Sequence, residues 1–234
     1  MTKTSLNDFA IAKAYPAIDP ARIQLYSIPT PNGVKVSIAM EELGVDYDAH
    51  FVPFSELTKP DYLELNPNNK IPAIIDPDGP GGTAFALWES GAILIYLAEK
   101  FGGLLPSDPA KRHETIQWLM FQMGGIGPMF GQFGFFHAFA GKEIEDKRPL
   151  ERYRDEAKRL LNVLNQRLED RQWIMGDEYT IADIAIFPWL RAAKVFYKAE
   201  DVLSMNDYPH AMAWLDRCIA RPASEKGLAR PPRD

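Results

Sequence analysis

Two short stretches of the chain carry residue types suited to holding a small, zwitterionic, peptide-like ligand. The first is Asn66-Pro67-Asn68-Asn69-Lys70-Ile71-Pro72-Ala73-Ile74-Ile75, a polar turn running into an apolar segment. Proline has no N–H to give a sheet ladder, so Pro72 belongs at the first residue of an edge strand. If the Ile71-Pro72 bond is cis, as X-Pro bonds in tight turns can be, the N–H and C=O of Ile71 point outward. An extended ligand can then pair with them as an added strand. The second stretch is Trp88-Glu89-Ser90-Gly91-Ala92-Ile93. Ser90 stands where a helix N-cap is expected, and the unpaired N–H groups and dipole of a helix start favour an anionic group. The Glu89 carboxylate would hold an adjacent ammonium, so one ligand end carrying both charges fits the pair. A proline after a turn and a serine before a helix are also ordinary structural punctuation; their order and spacing are what point to a site.

The elements that must position these residues belong to a chain of 234 residues, 46% hydrophobic, enough for a large core and between one and two domains in length. Net charge is −6, with acids and bases interspersed and no basic stripe that would release counterions from nucleic acid. Nucleic acid is therefore not an expected partner. The one cysteine, Cys218, excludes an internal disulfide and any CxxC redox or zinc site, and no metal is expected. The N-terminal residues lack the apolar core of a secretion signal, and a cytoplasmic location is expected. Thr115 to Gly141 carries no Asp, Glu, Lys or Arg, yet Gln117, Gln122, Gln132 and His137 would be stranded in hydrocarbon, so no membrane span is expected. The segment reads as an internal helix broken or kinked near Gly127-Pro128. Its rings, Phe121, Phe130, Phe133, Phe135, Phe136 and Phe139, are expected to pack on a partner domain, a second subunit or an apolar substrate.

Residues 1–21 read as a polar N-terminal extension. Over 22–103 the pattern is β-α-β-α-β-β-α: a strand at Ile23 to Ser27, the loop Ile28-Pro29-Thr30-Pro31-Asn32-Gly33, an amphipathic helix to Gly44, a strand from Tyr47 to Pro53, a short helix near 59–65, and a hairpin leading into the helix after Ser90. Such alternation makes a mixed sheet with helices on its faces. Residues 104–111, with Pro106 and Pro109, read as a linker, and 112–234 as an all-helical domain with helices over 112–136, 149–169, 180–195 and 208–220. Thr180-Ile181-Ala182-Asp183 fits a capping box, with Asp183 in a structural role.

The Ile71-Pro72 turn, Glu89-Ser90 opening a helix, and the Thr180 to Asp183 cap together make residues 23–225 resemble the cytosolic glutathione transferases. The resemblance implies a thioredoxin-like N-terminal domain followed by an all-helical one. Thr30-Pro31-Asn32-Gly33, Asn66 to Ile74 and Gly124-Gly125-Ile126-Gly127-Pro128-Met129 are most similar to the bacterial Nu-class members, associated with glutathione-dependent disulfide reduction. By that resemblance glutathione is the co-substrate. Asn32 and Thr30 lie near its sulfur as the catalytic pair, Ile71 and Pro72 on the cysteinyl backbone, Glu89 and Ser90 on the γ-glutamyl end, and Arg152 at a contacting position, within its own subunit or across a homodimer. Lys70 is added on charge grounds, because an acidic protein needs local cations to attract an anionic tripeptide. At Leu57 the chain departs from the Nu-class pattern, which carries Gln there. Tyr26 and Ser27 are rivals for sulfur activation, since other classes use a Tyr or Ser from this neighbourhood. They lie on opposite faces of a strand, so at least one points into the core, and the order of expectation is Asn32, Thr30, Tyr26. No cysteine stands in the Thr30 loop to act as nucleophile. The expected function is a glutathione-dependent thiol-disulfide oxidoreductase or transferase acting on a small disulfide or electrophile. Related fungal nitrogen-regulator proteins supply the alternative, a catalytically silent binding or regulatory protein.

Overall fold

The computed structural model describes residues 5–232. The chain divides into two units, one built from the residues up to Gly102 together with those from Pro222 onward, the other from Gly103–Arg221. In the first unit a short helix α1 (Ile11–Ala14) precedes β1 (Ile23–Ser27), α2 (Gly33–Leu43), β2 (Tyr47–Phe51), α3 (Pro60–Leu65), β3 (Ala73–Asp76), β4 (Phe85–Trp88) and α4 (Ser90–Phe101). The sheet order is β2-β1-β3-β4, with β2 parallel to β1 and the other pairs antiparallel, a mixed sheet that closes on the expected β3-β4 hairpin.

Every residue of β1 and β3 is buried, because both faces of the sheet are covered. Tyr26, Ala73 and Ile75 face one side, in a cluster with Leu57, Tyr62 and Leu65. Alternation sends Leu25 and Ile74 to the other side, which is covered by α2 and α4, packed against each other.

The N-terminal residues depart from the polar extension expected of them. Leu6, Phe9 and Ile11 are buried in the cluster around Tyr26, reached by two short turns too brief to show a period. Ser5 and Asp8 form a capping box on the first turn. The buried Asp48 carboxylate accepts the N–H groups of Ile18 and Asp19, each at 2.7 Å.

The second unit is helical: α5 (Pro109–Phe121), α6 (Gly127–Ala138), α7 (Arg148–Arg167), α8 (Ile181–Val195) and α9 (Pro209–Ile219). The expected break near Gly127-Pro128 is a π-helical turn over Gln122–Ile126, in which Gly127 N–H reaches back to Gln122 O, and Pro128, which has no N–H to give to the turn behind it, follows at the start of α6. Phe130 and Phe133 are fully buried, Phe135 and Phe139 are exposed, and Phe136 stacks on Tyr153 of α7 at 5.7 Å. Helix α8 is buried all round from Ile181 to Leu190, the pattern of a central core helix. Its capping box forms as read from the sequence. Asp183 accepts from the N–H and hydroxyl of Thr180 and also from Ile174 N and Trp214 Nε1 at 2.8–3.2 Å. No helix among the described residues is long and apolar enough to cross a membrane.

The last helix, α10 (Pro222–Leu228), was expected to continue the helical domain but returns to the first unit and lies on α2. The approach is close enough that a Cβ on Gly227 would sit 2.6 Å from the Ile38 backbone. Ser37 Oγ donates to Gly227 O at 2.7 Å.

Candidate functional site

Strand register gathers the first-unit candidates. Tyr26 pairs with Ala73 and Ala73 with Trp88, so the end of β1, the start of β3 and the end of β4 form one row across three strands. One step beyond that row lie the loop to Asn32, the Ile71-Pro72 turn and Glu89-Ser90, together with the first turns of α2 and α4.

The loop after β1 is closed tightly. Thr30 N–H donates to Ile28 O at 2.7 Å, and Thr30 accepts Val34 N–H on its carbonyl and Gly33 N–H on its hydroxyl. A hydroxyl that accepts still has its O–H to give. Gly33 is required by close approach, since a Cβ there would meet Ile28 O at 2.0 Å and Ser27 Oγ at 2.5 Å. Asn32 sits at the N-cap of α2 in helical conformation, half-buried, and its side chain caps no N–H. Its Oδ1 instead accepts from Lys35 Nζ at 2.7 Å, and the same Nζ is 3.3 Å from Ser90 Oγ.

The Ile71-Pro72 bond is cis. The turn before it is fixed through Asn66, which donates to Lys70 O at 2.6 Å and accepts Asn68 N–H at 2.9 Å, and through Tyr62, whose hydroxyl reaches the same carbonyl at 2.7 Å. Ile71 is half-buried, Pro72 buried and Lys70 exposed. Across the hairpin, α4 begins at Ser90 itself, so the N-cap expected at Ser90 is taken by Glu89, which makes no side-chain cap. Cap assignments shift by one residue readily; here the cause is the Glu89 backbone, at φ 72° and ψ 111°. Ser90 is 3% exposed while Glu89 is exposed.

The rivals for sulfur activation are both spent on structure. Tyr26 is fully buried in the cluster beneath the N-terminal turns, stacked on His50 at 4.9 Å with Tyr15 edge-on. Burial, with the Asp48 carboxylate adding to it, pushes its phenol above the ordinary range. Ser27 is buried on the other face, against Gly33. Leu57 is core, consistent with no polar role. Arg152 belongs to the second unit, exposed on α7, where it lines an open groove of about 850 Å³ with Arg148, Arg159, Met129 and Tyr153. Cys218 is buried on α9. Among the described residues no group of three or more His, Cys, Asp or Glu gathers as a metal site.

Lys35 is the site residue that sequence reasoning missed. A lysine normally reads as solvent-facing, yet this one is fully buried. The available signal was its setting in Val34-Lys35-Val36-Ser37-Ile38, a helix start with no polar face.

Family models described as Glutathione S-transferase, N-terminal domain and Glutathione S-transferase, C-terminal domain match residues 30–100 and 127–222. Among curated proteins, the disulfide-bond oxidoreductase YfcG of Escherichia coli is 43% identical over 211 residues, covering 89% of this chain and 95% of its own length. YghU of the same organism, also a disulfide-bond oxidoreductase, is 41% identical over 215 residues, covering 88% and 73%. A Burkholderia graminis glutathione transferase solved with two glutathione molecules per subunit superposes with a TM-score of 0.96 at 58% identity, over 100% of this chain and 98% of that one. A Pseudomonas putida glutathione transferase solved with one glutathione disulfide per subunit gives 0.95 at 56% identity, over 97% and 100%.

Proposed function

Because the chain belongs to the glutathione S-transferase family, we propose that it is a glutathione-dependent disulfide oxidoreductase in which bound glutathione supplies the reactive thiolate. The observation that carries this reading is the row of Thr30-Asn32, Ile71-Pro72 and Glu89-Ser90 at one end of the sheet, beside a loop that contains no cysteine. The reactive sulfur must then arrive with the ligand. Homology to two disulfide-bond oxidoreductases supports the reaction type. Structural relatives holding two glutathiones, or one glutathione disulfide, support a site with room for both partners of the exchange.

Each residue has a physical task in this reading. The Glu89 carboxylate holds the γ-glutamyl ammonium, and the Ser90 hydroxyl with the first N–H groups of α4 holds its carboxylate. Ile71 pairs with the cysteinyl backbone, with Pro72 fixing the turn. Lys70 and Arg152 draw in the anionic tripeptide. Thr30 and Asn32 donate to the sulfur. A free thiol ionises near pH 8.5, and lowering that by about two units needs roughly 2.7 kcal/mol of preference for the anion. One or two charge-assisted hydrogen bonds at about 1.5–3 kcal/mol each supply it, with no catalytic base.

The thiolate attacks one sulfur of a substrate disulfide, forming a glutathione mixed disulfide and expelling the other half as a thiolate that takes up a proton. A second glutathione thiolate attacks the glutathione sulfur of that mixed disulfide, yielding glutathione disulfide and the second substrate thiol. Two glutathiones are oxidised and one disulfide reduced. A homodimer, with Arg152 serving its own or the neighbouring site, is part of the reading and is measured by sedimentation.

The test is glutathione-dependent reduction of 2-hydroxyethyl disulfide. Wild type should exceed the uncatalysed rate, and Asn32→Ala should raise the pKa of the bound thiol by about one to two units, the worth of one such hydrogen bond. Wild-type activity no greater than background would overturn the proposal. In that case, a stabilisation of about 2.7 kcal/mol at glutathione one hundred times its Kd would leave a binding protein, and no stabilisation a silent one.

A further inference from the structure

We propose that Lys35 is a positioning residue for this site, fixing which end of the Asn32 amide faces the ligand and tying that amide to Ser90. The sulfur-facing and γ-glutamyl-facing ends are thereby set as one unit. The inference rests on the reading of the site given above.

A lysine amine toward a carbonyl is a donor, whether ammonium or neutral. With Nζ at 2.7 Å, Asn32 must turn Oδ1 toward Lys35, which makes its NH2 the opposite end of the amide. The distinction is chemical: an N–H donor stabilises a thiolate, while a carbonyl oxygen in its place repels one. Residues 32 and 35 are three apart in the first turn of α2, and helical side chains lean toward the N-terminus, so Lys35 reaches back over Asn32. The same nitrogen meets Ser90 Oγ at 3.3 Å on α4. One buried group therefore touches a candidate residue from each half of the site.

The placement also carries costs. A cation in the first turn opposes the helix dipole, and a fully buried amine loses its hydration. Burial accordingly holds it well below the ordinary lysine range, with the Glu89 carboxylate pulling the other way. For packing alone, a residue like Val34, Val36 or Ile38 would serve without that desolvation cost.

The experiment compares wild type, Lys35→Met, Asn32→Ala and the double variant in urea stability, glutathione affinity, disulfide-exchange turnover and the pKa of the bound thiol, read from thiolate ultraviolet absorbance. Lys35→Met should be at least as stable as wild type, lose about tenfold in turnover, the scale of one charge-assisted hydrogen bond, and raise the thiol pKa. In the Asn32→Ala background it should move the pKa no further. Additive effects, or an unmoved pKa in Lys35→Met, overturn the positioning role. Lys35→Gln retains an N–H donor and should recover part of the turnover; it runs the same cycle if the methionine variant does not fold, and additivity there overturns the role equally. A wild-type protein that leaves the bound thiol at its free-solution pKa overturns the reading of the site itself. A wild type that lowers it, with Lys35→Met lowering it as much, overturns only the part given to Lys35.

Discussion

At the scale of single residues, Glu89 combines a carboxylate suited to a ligand ammonium with a backbone that glycine would adopt more readily. Its φ of 72° with ψ of 111° lies where a side chain is strained, a conformation that costs on the order of 1–3 kcal/mol. Glu89→Gly should therefore leave the urea midpoint unchanged or raised while abolishing stabilisation by glutathione. A midpoint that falls would contradict this account of the backbone. His50 makes a prediction in pH. Gln24 gives its Nε2 to Asp19 O and Arg22 O, so its Oε1 is the acceptor and His50 Nε2, at 2.8 Å, carries the proton. Burial holds the imidazole below its ordinary value against the opposing pull of Asp48. The unfolded chain takes up a proton near pH 6.5 that the folded unit resists. This contribution is intact above about pH 6.5 and is lost as the pH falls through the lower folded value. His50→Gln should flatten that limb of the stability profile; equal acid sensitivity in the two proteins would refute it.

At the scale of elements, the start of α8 separates an ordinary cap from a buried junction. Thr180→Ala should cost about 1 kcal/mol, as an N-cap does. Asp183→Ala strands donors from three segments, at Thr180, Ile174 and Trp214, and should cost about 3–5 kcal/mol. Denaturant unfolding yielding equal losses would reduce Asp183 to a cap. That box was legible in sequence because capping is local, and so were the strand and helix order of the first unit and the meeting of Ile71-Pro72 with Glu89-Ser90, which follows from a hairpin. Other features depend on what lies across space. Alternation required at least one of Tyr26 and Ser27 to point inward; both are buried because β1 is covered on both faces, a property of its neighbours. The π-turn at Gln122–Ile126 leaves no periodic signature beyond a general expectation of a break. Lys35 was passed over because residue type argues for exposure, and only its tertiary partners explain its burial. Leu6, Phe9 and Ile11 were missed because turns this short have no period to detect.

At the scale of the molecule, the chain contains two units, and the first is completed by residues from beyond the second. Nothing in Pro222–Leu228 names its partner; the smallness of Gly227 against Ile38 becomes meaningful only once α2 is in place. Truncation after Arg221 should lower the stability of the first unit and weaken glutathione binding, because α10 braces the helix whose first turn carries Asn32 and Lys35. Gly227→Ala should reproduce part of that loss, by about 1–3 kcal/mol for overpacking, and unchanged melting in both variants would show the brace to be idle. Translation gives this arrangement a temporal aspect. At ribosomal speed the stretch from Gly103 to Arg221 takes on the order of ten seconds to make, and throughout that interval the outer flank of α2 is bare while the nascent polypeptide lengthens. The first unit, begun before the second, is thus finished only after it.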